Sequence, residues 1–312
     1  MNLLLHVKKV IFSLMQSRGF NKLLKLYLFR KIKKERKQAL VDQIKQNKQF
    51  KGIHRGERCF ILGNGPSLRE QDLSLLQDEV VFTVNQAAKL EGFNKIKTNY
   101  HFWADPQFFE PSGSLDGDKQ LIETMLRVQT TDNAPQNFFP HIAYDFVIQK
   151  KISEALNVNF FYPLLPLHNM KERNDFSGVV TGAWTVVHYA IMLAIYMGFS
   201  EIYLLGCDMT GIITTVQSRL RDQETGCYYS YNITQAEKER MRATRTKFEV
   251  EDEFQGYVNM FSGYKFLNQC CKNNGIGLYN LTRGGILESV ERKKYEDVIS
   301  IRAGRKMEKD DE

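Results

Sequence analysis

The chain has 312 residues, 43% of them apolar and 25% charged, with 21 Gly and 7 Pro, which fits one or two globular domains and excludes collagen, bulk disorder and a small disulfide scaffold. Its five cysteines (Cys59, Cys207, Cys227, Cys270, Cys271) are odd in number, include an adjacent pair and hold no C-x-x-C spacing, so a reducing compartment is expected rather than a disulfide framework or a zinc ribbon. The net charge of +7 is uneven: residues 1–50 hold 13 Lys and Arg against Glu35 and Asp42, a net of +11, while the other 262 residues carry 30 basic and 34 acidic side chains, a net of −4.

From Met1 to about Lys48 there is no proline, and apolar residues recur at helical spacing: Leu3, Val7, Val10, Ile11 and Leu14, then Phe20, Leu23, Leu24, Tyr27 and Leu28. The pattern predicts one or two basic amphipathic helices. Arg18 interrupts the short apolar run and no small-residue cleavage site follows, which argues against a secretory signal, and the same charges argue against a spanning helix. Such a segment suits an anionic membrane surface, where each basic residue adds about 1 kcal/mol. It equally suits packing on the body of the protein or on a second copy, as in a homo-oligomer. Nucleic acid is not an expected partner, because the rest of the chain is acidic.

Beyond about Gly52 the repeating unit is a short apolar run ended by a small or polar residue. The runs are Cys59 to Leu62, Val80 to Val84, His101 to Ala104, Ile202 to Leu205 and Ile276 to Tyr279. They lack strict alternation and are separated by helical patterns such as Thr185 to Met197, which predicts an α/β fold with a parallel sheet covered on both faces. The stretch Phe176 to Ser200 carries no charge, but its loop-like start and the Gly198 before the next run suit a buried helix better than a membrane span.

In such sheets ligands gather beyond the carboxyl ends of the strands. The residues placed there are Gly63-Asn64-Gly65, Asn85, Asp105, Gly206-Cys207-Asp208 and Asn280. In Gly63-Asn64-Gly65-Pro66-Ser67, the spacing of Ser67 and Glu70 predicts a capping box at a helix start, where free N–H groups make an anion or phosphate site. The loop is neither a P-loop nor a complete G-x-G-x-x-G fingerprint, since Leu68 stands at the third glycine position. Any one of these residues alone also reads as a simple turn former.

Phe60-Ile61-Leu62-Gly63-Asn64-Gly65-Pro66-Ser67-Leu68, Val84-Asn85-Gln86, Phe102-Trp103-Ala104-Asp105-Pro106, Glu201 to Asp208 and the ending Gly275 to Gly285 together resemble a superfamily with two arms. One arm holds bacterial CMP-sialic acid-dependent sialyltransferases. The other holds the domain named for 6-hydroxymethylpterin diphosphokinase, found also in flagellin-glycosylation and surface-polysaccharide proteins. The resemblance covers about residues 55–300 and implies a Rossmann-like fold. It places Asn64, Gly65 and Ser67 on the nucleotide phosphate, with Gly63 and Pro66 among the donor- or nucleotide-binding residues of the same turn, Asn85 on nucleotide or donor sugar, Thr181 and Gly182 on the donor, Gly206 and Asp208 at the nucleoside, and Asn280 and Thr282 closing the pocket.

The sialyltransferases carry a catalytic histidine after the position of Asp208, where this chain has Gly226-Cys227-Tyr228-Tyr229-Ser230-Tyr231; no histidine follows His188, which reads as a core residue. Asp105 and Asp208 are therefore the candidate catalytic groups, as bases for an acceptor hydroxyl or as Mg²⁺ ligands on a diphosphate. Tyr228, Tyr229 and Tyr231 suit either an acceptor lid or a plain surface loop. The sign-alternating run Glu237 to Glu253 reads as a solvated helix face.

The expected organisation is a basic helical segment 1–50, a nucleotide- or donor-binding catalytic domain 51–301 and a charged tail 302–312. The expected activity is that of a glycosyltransferase at the cytoplasmic face of the plasma membrane. Its donor is a nucleotide sugar, first a CMP-linked nonulosonic acid, and its acceptor a glycan or lipid-linked glycan of surface-polysaccharide assembly. The alternatives are a Mg²⁺-dependent, ATP-using diphosphokinase and a non-catalytic nucleotide-binding scaffold.

Overall fold

The computed structural model describes residues 30, 38–129, 134–164, 174–221, 229–244 and 249–300. Most of the basic segment, Cys227, Tyr228 and the charged tail lie outside the described residues.

Each apolar run forms a strand whose alternate side chains enter opposite cores, as a sheet covered on both faces requires. Phe60, Leu62, Tyr203 and Leu205 are buried on one face, Cys59, Ile61, Ile202 and Leu204 on the other. The strands are β1 (Arg58–Leu62), β2 (Val80–Val84), β3 (Thr98–Phe102), β4 (Gln136–Pro140), β5 (Asn157–Pro163), β6 (Val179–Val180), β7 (Glu201–Leu205), β8 (Gly277–Asn280) and β9 (Glu291–Arg292). Among the described residues they form a nine-stranded sheet of order β6-β5-β4-β3-β2-β1-β7-β8-β9, with neighbours parallel throughout. The expected α/β, Rossmann-like architecture is the one observed.

The helices are α1 (Gln38–Gln46), α2 (Leu115–Leu126), α3 (Tyr144–Gln149), α4 (Ile152–Ala155), α5 (Val186–Met197), α6 (Gly211–Arg221), α7 (Gln235–Thr244) and α8 (Val250–Asn273). On one face of the sheet lie α1, through Leu40, Val41 and Ile44, and α2, through Leu121 and Met125. On the other, α5 packs with Tyr264, Leu267 and Cys271 of α8. The uncharged α5 is buried on nearly every side and stops at Gly198, whose φ of 89° ends the helix in the left-handed region. No helix of the described residues is long and apolar enough to cross a membrane.

Chain order reverses beside β1: successive strands run outward from β1 to β6 on one side, and β7 to β9 run outward on the other. The carboxyl ends of β1 and β7 therefore flank the crevice where a doubly wound sheet accepts ligands. Gly63-Asn64-Gly65 and Gly206-Cys207-Asp208 stand at those two ends.

Candidate functional site

Two adjoining cavities occupy this crevice. The larger, about 210 Å³, is lined by the β1 turn (Gly63 to Pro66), Asn85, the start of α5 and the β7 turn (Gly206 to Asp208), with Tyr229 and Tyr264. The smaller, about 70 Å³, is lined by Asp105, Gln86, Tyr231, Glu237 and Arg240, and shares Asn64, Asn85 and Tyr229 with the first. Two of the three non-glycine residues with positive φ among those described, Asn85 (47°) and Met209 (57°), line the larger cavity, and backbone held in this costly region clusters at functional sites.

The β1 turn departs from the expectation of an open phosphate cradle. Pro66–Glu70 is a 3-10 helix entered from Gly65, so Ser67 lies inside it and the predicted capping box does not form. Ser67 instead donates to Asp208, N–H to Oδ1 at 3.3 Å and Oγ to Oδ2 at 2.9 Å. The Gly65 N–H donates to the Gly206 carbonyl at 2.9 Å and the Gly63 N–H to that of Leu205 at 2.8 Å. The protein's own carboxylate and carbonyls thus fill the donors that an anion was expected to fill. Glycine is required for the same reason: a Cβ on Gly65 would overlap the Asp208 carboxylate, and one on Gly63 the Gly206 carbonyl. Burial raises the Asp208 carboxyl above its usual range, with the Ser67 bonds opposing the shift.

Asn64 reaches sideways to the next strand, Nδ2 donating to the Val84 carbonyl at 3.0 Å, and its Oδ1 is buried without a partner. Asn85 accepts the Ala104 N–H on Oδ1 at 3.3 Å, which ties the end of β2 to the loop that presents Asp105. Asp105 caps the turn Pro106–Phe109 by accepting the Gln107 N–H at 3.0 Å. Desolvation raises its carboxyl, with the Gln107 bond and nearby Arg240 acting the other way.

Other expected residues stand behind the cavities as supports. Thr181 is buried and bonds Asn174 through N–H and Oγ1. Asn280 joins the Leu287 carbonyl to the Thr282 N–H, and the Thr282 hydroxyl accepts from Cys207 N–H at 3.0 Å, bracing the β7 turn. Gly182 precedes α5 and is absent from the described lining of both cavities. His188 is fully buried, edge-on to Tyr264 at 4.4 Å between ring centroids, and burial pushes its imidazole down to about 3. It is a neutral core residue.

The family profile that matches the sequence, over residues 28–212, carries the description 6-hydroxymethylpterin diphosphokinase MptE-like. The chain belongs to the MptE-like family. No curated protein matches it. Among solved structures it is similar to the MAf glycosyltransferase from Magnetospirillum magneticum AMB-1, with 13% identity and a TM-score of 0.45 over 81% of this chain; it spans only 38% of that protein.

In this MptE-like chain the feature that pattern reading missed is α7. The sign-alternating run was expected to be solvated, yet Glu237 and Arg240, one helical turn apart, are 5% and 4% exposed. Gly117 lets α7 approach α2 closely: a Cβ there would lie 2.7 Å from the Ala236 carbonyl and 2.8 Å from the Arg240 Cβ. Arg240 donates to Asp118 at 3.0 Å and to the carbonyls of Gln107, Phe108 and Glu110 at 2.7, 3.0 and 3.3 Å, fixing the loop that carries Asp105. Lys89 pairs with Glu237 Oε2 and lies 5.5 Å from the Tyr231 ring centroid. The only sequence signal was the three-residue spacing of two opposite charges facing Gly117, too common to single out.

Magnesium is the cofactor a diphosphokinase reading implies. Asp105 and Asp208 line different cavities, and both Asp208 oxygens accept hydrogen bonds from Ser67. Among the described residues no three His, Cys, Asp or Glu side chains gather to hold a metal. These donors do not fit a shared magnesium site between the two aspartates.

Proposed function

We propose that the chain is a nucleotide-dependent transferase, with the donor in the larger cavity and the accepting hydroxyl in the smaller one beside Asp105. The observation that carries this reading is the pair of cavities at the topological switch point, joined through Asn64, Asn85 and Tyr229, with two carboxyls in the second, of which Glu237 is paired with Lys89 and Asp105 is raised by desolvation. A transferase needs a group to take the acceptor's proton, and a carboxyl raised by burial is a better base near neutrality than an ordinary one. Asp105 has that role here. Asp208 holds the β1 turn closed through Ser67 and orients Gly65 and Asn64, so it is a positioning residue.

Transfer of a phosphate-type group from ATP is the first reading, because the family's description names a diphosphokinase. Sugar transfer from a nucleotide donor, including a CMP-linked sugar, is the second. It is favoured by the separation of the two aspartates and by the stacked Tyr229 and Tyr231 rings, 5.1 Å apart at 7°, which form an aromatic wall along the smaller cavity. The net +11 of residues 1–50 supports peripheral attachment to an anionic cytoplasmic leaflet as part of this reading, with a lipid-linked or glycan acceptor there.

The test is thermal stabilisation by ATP, CMP, CDP, UDP and GDP, each with and without Mg²⁺. A nucleotide at about 100 times its Kd adds roughly 2.7 kcal/mol. Selectivity for ATP supports phosphotransfer, and selectivity for CMP, UDP or GDP supports sugar transfer. Stabilisation by none of them overturns the transferase reading.

A further inference from the structure

The smaller cavity has an uneven hydrogen-bonding character. Glu237 lines it, its side chain is 7% exposed, and while Oε2 pairs with Lys89, Oε1 is buried without a partner. Asn64, shared with the larger cavity, leaves Oδ1 buried and unpaired. Asp105 spends Oδ1 on the Gln107 N–H. The spare capacity in these three side chains is therefore acceptor capacity. The cations nearby are engaged, Lys89 by Glu237 and Arg240 by Asp118 and three carbonyls. A buried acceptor left unpaired costs about 1–3 kcal/mol, more when charged, so a ligand that brings donors recovers that cost and an anion adds to it.

We infer that Glu237 is a specificity residue of this cavity, which takes the hydroxyl-bearing, uncharged edge of an acceptor and rejects the same edge carrying a carboxylate or phosphate. The inference deepens the transferase reading and rests on it for the acceptor and its reacting hydroxyl, not for the preference against an anion. The hydroxyl nearest Asp105 is the reacting group, and Glu237 Oε1 with Asn64 Oδ1 receives its neighbours. A volume of about 70 Å³ admits a hydroxymethyl group or the edge of a sugar ring rather than a whole glycan.

The test compares matched probes on the full chain: 6-hydroxymethylpterin against pterin-6-carboxylate, and methyl β-galactoside against methyl β-galacturonate, with affinities measured by ligand-observed NMR at pH 7.5. The expected result is that in at least one pair the hydroxymethyl member binds about tenfold or more tightly than the carboxylate. Glu237→Gln, which removes the charge and adds a donor, should bring that ratio close to one. The double variant Lys89→Met/Glu237→Met should do the same while replacing the ion pair by apolar groups of similar length, a change buried pairs often tolerate. Equal binding of both members by the wild type, binding of neither pair, or a preference that survives in both variants overturns the inference. The nucleotide scan is independent: a preference that depends on Glu237 in a protein no nucleotide stabilises would remove the transferase reading and leave the subsite.

Discussion

The contact between the β1 and β7 turns is the sharpest point at which to test the site's construction. In Gly65→Ala the new Cβ falls on the Asp208 carboxylate and lies 2.6 Å from the Gly206 carbonyl, so the carboxylate must leave its two bonds to Ser67. Losing those bonds costs about 1.5 kcal/mol each when the acceptor is charged, and forcing the turns apart adds about 1–3 kcal/mol, for a total of about 5 kcal/mol. In a chain of this size that corresponds to a fall in Tm of about 10 °C. Asp208→Ala should cost about 3 kcal/mol by orphaning the two Ser67 donors. The informative measurement is the double mutant in urea unfolding. With the carboxylate gone, the alanine methyl occupies the vacated space, and the two costs should fall short of their sum by at least about 1 kcal/mol. Additivity within about 0.5 kcal/mol would refute the claim that the carboxylate is what requires glycine at position 65.

Asp105→Asn should leave nucleotide affinity unchanged and remove turnover, and the wild-type rate should rise with pH through a carboxyl pKa above the usual range; unaltered turnover would dismiss Asp105 as the base. Because that folded-state pKa is raised, the native state binds more protons than the unfolded one between the two values, so stability falls as pH rises across that window. Asp105→Asn should therefore stabilise the protein at pH 7 relative to wild type but not at pH 3, read by chemical denaturation. His101 and His188 act in the opposite sense. Both are pushed by burial down to about 3, so their contribution is present above pH 6.5 and is lost as pH falls towards 3, at about 1.4 kcal/mol per pH unit for each; His188→Phe should flatten that acid limb. Arg240→Met should destabilise by about 3–5 kcal/mol by stranding Asp118 and three carbonyls, with a larger fall in turnover than in nucleotide binding because the Asp105 loop is released.

The five runs that became β1, β2, β3, β7 and β8, and the uncharged helix α5, were legible because a buried parallel strand and a buried helix are both dominated by apolar side chains and carry few charges. Four strands were not: β6 and β9, of two residues each, and the interior strands β4 and β5. Gln136-Asn137-Phe138-Phe139-Pro140 and Asn157 to Pro163 carry amides and prolines that disguise them. Inside the sheet their N–H groups are met locally, Asn137 Nδ2 donating to the Pro135 carbonyl and Asn159 Nδ2 to Gln136 Oε1, while Asn137 Oδ1 is buried without a partner. The convergence of Asn64, Asn85, Asp105 and Asp208 on one crevice followed from their places just after apolar runs, at the carboxyl ends of parallel strands. Their bonding did not, since a Gly-Asn-Gly turn that awaits an anion and one already filled by an aspartate 141 residues away share the same local sequence. Glu237 and Arg240 were hidden by the opposite problem: an alternating charge pattern states that charges are present on a helix, not which of them another helix will cover.

The segment Tyr229-Ser230-Tyr231 is pinned at its centre, the Ser230 N–H donating to the Asn64 carbonyl and its carbonyl accepting from Arg69, both at 2.9 Å. Its two rings are a party wall. Tyr229 borders both site cavities, and Tyr231 divides the smaller one from a third hollow of about 490 Å³ between Arg69, Lys89 and Lys95. A replacement at either tyrosine remodels two rooms at once and leaves the sheet and its two cores untouched. Three consecutive residues thus set the borders of three neighbouring hollows.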